Sequence, residues 1–423
     1  MKVYLFDRLA GFLTGTPDLG VTFTYDKGYL ANGGPALSLS LPLRNESFSS
    51  KECLPYFEGL LPDGELRKNI ADFLHVSDRS TLKLLDALGK ECAGTVAVIG
   101  DDENLKASAA DYRALSDDEI IDHIRKMPMR PLMHSEDGIR LSLAGAQDKI
   151  ALAKIKRRWH MPLNGAPSTH IFKPSRDIDN YRSIAENEYI CTSLAKECGL
   201  KVPACEMDLF GDYPVFIIER YDRKTAGKKI RRLHQEDFCQ ALGIHPDHKY
   251  ESDGGPSILQ MVKLLQQYST EPIVDIQLFV RSIIFNFLIG NCDAHGKNYS
   301  LLENDGAIRL APLYDLVCTR AYPELTLKFS MKIGGKYDIR KIAWKDFLET
   351  GKACGISPKM LTKIRDELFK ALPMRLKAFE DKSRYADTAK KIKAVMEQQI
   401  SRIAASSRDK QSHKSVATAS RGS

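Results

Sequence analysis

Two carboxylates and an amide raise the first chemical question about this chain. The run N-C-D-A-H-G-K-N-Y-S-L-L-E-N-D-G-A-I-R-L-A-P-L-Y-D places Asp293, then Asn298, and then Asp315 beyond two apolar runs. A carboxylate able to take a hydroxyl proton, followed at D-x-x-x-x-N spacing by hard oxygen ligands, suits phosphoryl transfer to an alcohol. Mg2+ takes few protein ligands and shares its coordination with substrate phosphates, so one amide and one carboxylate suffice. The residues between them predict how they meet. Asn304, Asp305 and Gly306 separate the apolar runs 299–302 and 307–310, the pattern of a β-hairpin. Closing that hairpin brings Asn298, before its first strand, close to Asp315, after its second. A surface hairpin with solvated polar ends is the competing reading. Lys297 is either a γ-phosphate contact or a surface lysine, and His295 either polarises the nucleophile or braces the turn.

Two further clusters lie upstream. Lys173 ends the strand T-H-I-F-K, and Pro174 is expected to stop pairing there. A lysine at a strand end facing a cleft can meet the α- and β-phosphates. Glu188, on a predicted helix over 184–198, is the carboxylate to orient it, with Glu186 as its competitor. The segment S-L-A-G-A-Q-D-K over 142–149 has neither a P-loop nor a G-x-G-x-x-G pattern. Its one glycine, Gly145, lies between Ala144 and Ala146, residues small enough to let backbone N–H groups approach phosphate oxygens. The same segment reads equally well as a tight turn.

The elements that must hold these residues fall into a sequence of domains. Residues 1–105 predict a small α+β unit, with strands over 2–6, 21–25, 37–41 and 94–100 and helices over 65–74 and 80–88. The acidic stretch 101–118 reads as a linker entering a helix near 118–126, and the connecting segment is taken as 106–138. Residues 139–235 carry strands over 149–156, 169–173 and 214–220 around the helix 184–198, the order of a kinase N-lobe. Residues 236–403 read as a mainly helical lobe containing the hairpin. The tail 404–423 is rich in Ser, Lys and Arg and is expected to be disordered, because it has little apolar surface to offset ordering entropy.

Composition narrows the class. At 43% apolar and 28% charged, the 423-residue chain is long enough for two or three globular domains. Nine singly spaced cysteines without C-x-x-C argue against structural zinc or a disulfide framework and point to a reducing cytoplasm. His245 and His248 beside Asp247 read as a solvated turn rather than a metal site. The N-terminus shows no signal-peptide pattern, and the apolar stretch 276–290 is read as too short and too polar to span a bilayer. The net charge of +7 is uneven: residues 1–100 hold ten Lys/Arg against twelve Asp/Glu, leaving an excess of nine positive charges in the rest. That balance suits an anionic substrate or partner. The run Lys328, Lys332, Lys336, Arg340, Lys341 is the first candidate for phosphate contacts with DNA, although a solvated face is the commoner meaning. Lys154, Lys156, Arg157 and Arg158, and residues 228–232, are the others.

Taken together and in order, S-L-A-G-A-Q-D-K, T-H-I-F-K, E-N-E-Y, I-E-R-Y-D, K-Y-E-S-D-G-G-P, I-G-N-C-D-A-H-G-K-N and L-Y-D resemble the HipA family of serine/threonine kinase toxins. The resemblance runs across nearly the whole chain, including L-S-L-S-L-P-L and F-E-G-L-L-P-D in the first unit. It implies a divergent two-lobed α+β protein-kinase-like (phosphatidylinositol-kinase-like) fold that uses ATP and Mg2+. It assigns the catalytic role to Asp293, metal binding to Asn298 and Asp315, and nucleotide binding to Lys173. The phosphate-covering loop matches Ala144, Gly145, Ala146, Gln147, Asp148 and Lys149. The adenine hinge matches Glu219, Arg220 and Tyr221, and further nucleotide contacts match His295, Gly296, Lys297, Asn298 and Tyr314. Ser142 matches the autophosphorylated serine. The position two before the catalytic aspartate, usually His in kinases, is Asn291, and the catalytic set is otherwise intact. The resemblance also implies a type II toxin–antitoxin system, with a small helix-turn-helix antitoxin, operator DNA and an aminoacyl-tRNA synthetase as substrate, most typically the glutamyl enzyme. A small-molecule or lipid kinase and a non-catalytic DNA-binding co-repressor are the alternative functions.

Overall fold

The computed structural model describes residues 1–16, 20–103, 111–127, 149–175, 183–226 and 229–419. Its contacts divide the chain into two compact units. One comprises Met1–Arg176, Pro203–Lys249 and Tyr299–Ala311; the other comprises Asp177–Val202, Tyr250–Asn298 and Pro312–Ser423. The cut therefore falls elsewhere than the expected boundary at 235, and it assigns the hairpin after Asn298 to the first unit.

The first unit opens with β1 (Lys2–Leu5), β2 (Arg8–Thr16), β3 (Gly20–Tyr25) and β4 (Val96–Ile99), an antiparallel sheet in the order β3-β2-β1-β4. Alternation along β1 puts Val3 and Leu5 in the core with Phe23, Phe48 and Phe57. The helix Ser50–Gly59 starts in a capping box, Ser49 N–H donating to Glu52 Oε2 at 2.8 Å. The strand expected over 37–41 is instead a turn with one bridge, Ser38 to Leu41. Its Leu-Ser alternation is satisfied without a ladder: Ser38 Oγ and Leu39 N–H donate to the buried Glu236 carboxylate, the former at 2.5 Å.

A six-stranded antiparallel sheet follows, comprising β5 (Asp111–Ala114), β6 (Ile150–Ile155), β7 (Arg158–Leu163), β8 (His170–Pro174), β9 (Cys205–Phe210) and β10 (Tyr213–Glu219). Its order is β5-β7-β6-β8-β10-β9. β5 lies in the stretch expected to be linker, because its residues pair with β7 from Asp111↔Leu163 to Ala114↔His160. Pro174 does not end the pairing of β8 as expected. It sits opposite Val215, and Ser175 N–H donates to Pro214 O at 2.8 Å, since proline removes a donor without preventing the next residue from pairing. β11 (Arg223–Ala226) and β12 (Lys229–Arg232) form a ribbon. β13 (His234–Asp237), β14 (Ser300–Asn304) and β15 (Ala307–Leu310) form a three-stranded sheet. The expected hairpin is β14–β15. Its turn is two residues long, with Asp305 at φ 51° and Gly306 at φ 82°, the positive φ pair that a tight hairpin of type I′ requires.

The second unit is mainly helical: Ile184–Glu197, Ile258–Tyr268, Pro272–Ile289, Trp344–Ala353, Pro358–Glu380 and Ala386–Ala419, with the short ribbon β16 (Lys328–Ile333) and β17 (Lys336–Asp338). Pro272–Ile289 has the length and apolarity to cross a bilayer, contrary to the sequence expectation of a shorter and more polar stretch. Phe279, Ile283, Phe285 and Phe287 are nevertheless buried, and the helix packs against Ala386–Ala419, as a core helix does. The last helix continues past 404, the expected start of the tail, as far as Ala419. A helix already nucleated and packed extends at little cost through Ala, Lys, Arg and Gln, and Trp344 N–H donates to Ser406 Oγ at 3.0 Å.

Candidate active site

The helix Pro272–Ile289 delivers the chain into the site. It ends at Gly290, φ 73°, whose N–H turns back to the Asn286 and Phe287 carbonyls. A Cβ there would lie 2.5 Å from Val395 Cγ1, so both the conformation and the space require glycine. Asn291 N–H then bonds Asn286 O at 2.8 Å, fixing the direction in which the loop leaves the helix. Thr319 clamps the next step: its Oγ1 accepts from Cys292 N–H at 2.8 Å and donates to Gly290 O at 3.1 Å.

Asp293 is held by its backbone. Its N–H donates to Asn291 Oδ1 at 3.0 Å, and its carbonyl accepts from His295 N–H at 2.9 Å and Asn298 Nδ2 at 3.0 Å. Within 291–298 the other seven residues are buried and Asp293 alone is exposed. Burying a loop this polar demands that its groups be bonded, and the bonds aim one carboxylate at solvent. Lys297 is buried, not the surface lysine of the competing reading. His295 is buried with its ring edge-on to Tyr250 at 5.1 Å, which matches a brace.

Asn298 ends the short turn Gly296–Asn298. With Nδ2 committed to Asp293, Oδ1 is its remaining acceptor, the atom that a hard cation takes. Asp315 has φ 59°, a left-handed conformation that costs an L-residue about 1–2 kcal/mol, less for Asp than for most. Asn291 Nδ2 lies 3.5 Å from Asp315 O, and Tyr314 Oη donates to Lys297 O at 2.6 Å. The two stretches separated by the hairpin are thus tied together by side chains bonded to backbone carbonyls. Among the described residues no group of three or more His, Cys, Asp or Glu can hold a metal. The donor set at Asn298 and Asp315 fits a cation such as Mg2+ that completes its shell with phosphates.

Of the residues expected to meet nucleotide, Lys149, Lys173 and 219–221 belong to the first unit. Lys173 is buried on β8 opposite Phe216, and Lys149, also buried, immediately precedes β6. Ser142, Ala144, Gly145, Ala146, Gln147 and Asp148 lie outside the described residues, as does Lys228. Glu188 is fully buried on Ile184–Glu197 in the second unit, and Glu186 is buried as well. At the expected hinge, the Arg220 side chain is held in a buried ion cluster. Its guanidinium bonds Glu91 at 2.9 Å and Asp222 at 2.8 Å, and Arg223 bonds the same two carboxylates. All four are buried. Burial pushes the Glu91 carboxyl up, but the Arg220 and Arg223 guanidinium groups outweigh it and hold Glu91 below its ordinary value. The hinge backbone is also engaged, Arg220 N–H donating to Thr169 O and Glu219 N–H to Ala204 O, each at 2.8 Å. Tyr221 Oη donates to Gln235 Oε1.

The basic run is partly neutralised. Lys336 Nζ pairs with Asp346 at 2.7 Å and Arg340 pairs with Asp338 at 2.8 Å, while Lys332 lies over the Tyr337 ring and Lys341 is exposed. Thr319 meets the loop from a distant part of the chain without a local motif, and Tyr250, inside the motif K-Y-E-S-D-G-G-P, meets it in a way the motif alone does not assign.

Comparison with known proteins completes the picture. Residues 1–99 match the family model described as HipA N-terminal domain, and residues 141–376 match that of the HipA-like C-terminal domain. Y4mE of Sinorhizobium fredii is 37% identical over 400 residues, covering 92% of this chain and 94% of its own length. The serine/threonine-protein kinase toxin HipA of Shewanella oneidensis is 30% identical over 358 residues, covering 81% of this chain and 80% of its own. Among solved structures, a complex of Shewanella oneidensis HipA with HipB and operator DNA aligns with a TM-score of 0.80 at 26% identity. The alignment covers 95% of this chain and 96% of that one.

Proposed function

We propose, from the premise that this chain belongs to the HipA family of kinases, that it transfers the γ-phosphoryl group of ATP to a serine hydroxyl of a protein. Asp293 takes the hydroxyl proton while the serine oxygen bonds to the γ-phosphorus and ADP leaves. The observation that carries this is the exposure of Asp293 alone within an otherwise buried loop. Mg2+, held by Asn298 Oδ1 and the Asp315 carboxylate, would supply neutralisation of phosphate charge. Lys173 would meet the α- and β-phosphates, and the hinge would bind adenine through backbone groups at Glu219 and Tyr221. Lys297 would add positive charge beside the transferred group, and Lys149 would anchor the phosphate-covering segment.

The partners follow from similarity. The Shewanella protein's complex supports a HipB-type helix-turn-helix antitoxin and operator DNA as partners of this chain. Of the expected DNA contacts, Lys332 and Lys341 carry the proposal, since Lys336 and Arg340 already face carboxylates. An aminoacyl-tRNA synthetase, with the glutamyl enzyme as the first choice, is the proposed substrate. Its phosphorylation would stall translation and favour persistence. Nine free cysteines, eight of them buried, suit a reducing cytoplasm.

Ser142 is proposed as a site of self-inactivation. A phosphate there adds about −1.5 to −2 charges to a segment that embraces a triphosphate, which should expel nucleotide. Calorimetry should find weaker ATP binding by the Ser142-phosphorylated chain than by Ser142→Ala; equal affinities would rule the device out. Transfer itself is tested with labelled ATP. Label on protein phosphoserine, lost in Asp293→Asn, supports the function, and label on a metabolite alone overturns it.

A further inference from the structure

The loop K-Y-E-S-D-G-G-P has no role in the chemistry so far, yet one of its side chains touches the proposed base. Tyr250 Oη donates to Asp293 Oδ1 at 2.5 Å, and its ring stands edge-on to His295 at 5.1 Å and 80°. Tyr250 is itself fixed from three directions. Its carbonyl accepts from Asp253 N–H at 2.9 Å and from Gly255 N–H at 2.8 Å, closing the turn Glu251–Asp253 through Gly254 at φ 98°. The neighbouring Glu251 carboxylate accepts from Lys332 N–H at 2.6 Å, which staples the loop to β16. From the same strand, Ser330 Oγ donates to Ala294 O at 2.7 Å, next to Asp293. Loop, strand and base form a closed circuit within the second unit.

We propose that Tyr250 is a positioning residue for phosphotransfer, holding Asp293 by Oδ1 so that Oδ2 is presented to the acceptor hydroxyl. The inference rests on the kinase function proposed above. An exposed carboxylate turns in a broad torsional well about its last bond. A charge-assisted bond from a fixed hydroxyl narrows that well.

The test compares native chain, Tyr250→Phe and Asp293→Asn in transfer from radiolabelled ATP, with dephosphorylated casein added as acceptor. Phenylalanine keeps the ring against His295 and removes only the hydroxyl. The expected result is a fall in kcat of about tenfold to a hundredfold, the scale of a misaligned base, with KM for ATP unchanged. A merely packing role would survive in Tyr250→Phe, which keeps the ring. An unchanged kcat in Tyr250→Phe, beside an inactive Asp293→Asn, overturns this inference alone. A faster Tyr250→Phe overturns it too, marking the hydroxyl as a plug in the acceptor position. No transfer by the native chain, or full transfer by Asp293→Asn, overturns the kinase function and this inference with it.

Discussion

Asp315 separates catalytic need from folding need. Its left-handed backbone, φ 59°, is tolerated by Asp and Asn but resisted by residues without a short polar side chain. Asp315→Asn should therefore leave the melting temperature in place while removing the charge proposed to hold Mg2+. Asp315→Ala should lose the same activity and, in addition, about 1 kcal/mol of stability from the backbone alone. Chemical denaturation of the two variants reads the difference, and equal stabilities would mean that the conformation stores no strain. The site was legible at this scale because Asp293, Asn298 and Asp315 are close in sequence, so spacing and one hairpin suffice to relate them. Tyr250 and Thr319 were not. Their bonds to the loop are made across long sequence separations; Thr319 carries no pattern, and the K-Y-E-S-D-G-G-P motif around Tyr250 does not say which side chain it meets.

Among the elements, the turn over 37–41 and β13 share the buried carboxylate of Glu236. Burial pushes that carboxyl up to about 7 from an ordinary 4.5, against the opposing pull of the Ser38 and Leu39 donors. The folded chain then keeps a proton that the unfolded chain releases between these values. Its contribution to stability is complete below 4.5 and is lost as pH rises through 7. Glu236→Gln has no such proton, so its stability relative to native should improve from about pH 5 to about pH 8, as read from urea midpoints. A difference that stays constant with pH would contradict this account of Glu236. The same carboxylate explains a misread element: alternation in L-S-L-S-L predicts a strand, but Glu236 satisfies Ser38 and Leu39 from another part of the chain. Periodicity reports which residues are buried, and it cannot report which partner takes the backbone donors. β5 escaped for a related reason, since an acidic run gives no hint of the partner strand that orders it.

Across the molecule, fold class and chemistry were more legible than boundaries. Residues 299–311, chemically continuous with the catalytic loop, belong to the first unit because β14 pairs with β13, from His234↔Glu303 to Asp237↔Ser300. Such pairing joins stretches about sixty residues apart, beyond the reach of any local pattern. The terminal helix differs in the opposite way, since local propensity carries it past 404. What joins the scales is one exposed carboxylate at the end of a buried core helix, in a chain whose family is that of the HipA kinases. The most direct measurement is phosphosite mapping by mass spectrometry after brief expression of the native chain and of Asp293→Asn in matched cells. The account predicts phosphoserine on this chain and on a cellular protein with the native form, and neither with the variant. The same phosphoserines at undiminished level in the Asp293→Asn cells would contradict it.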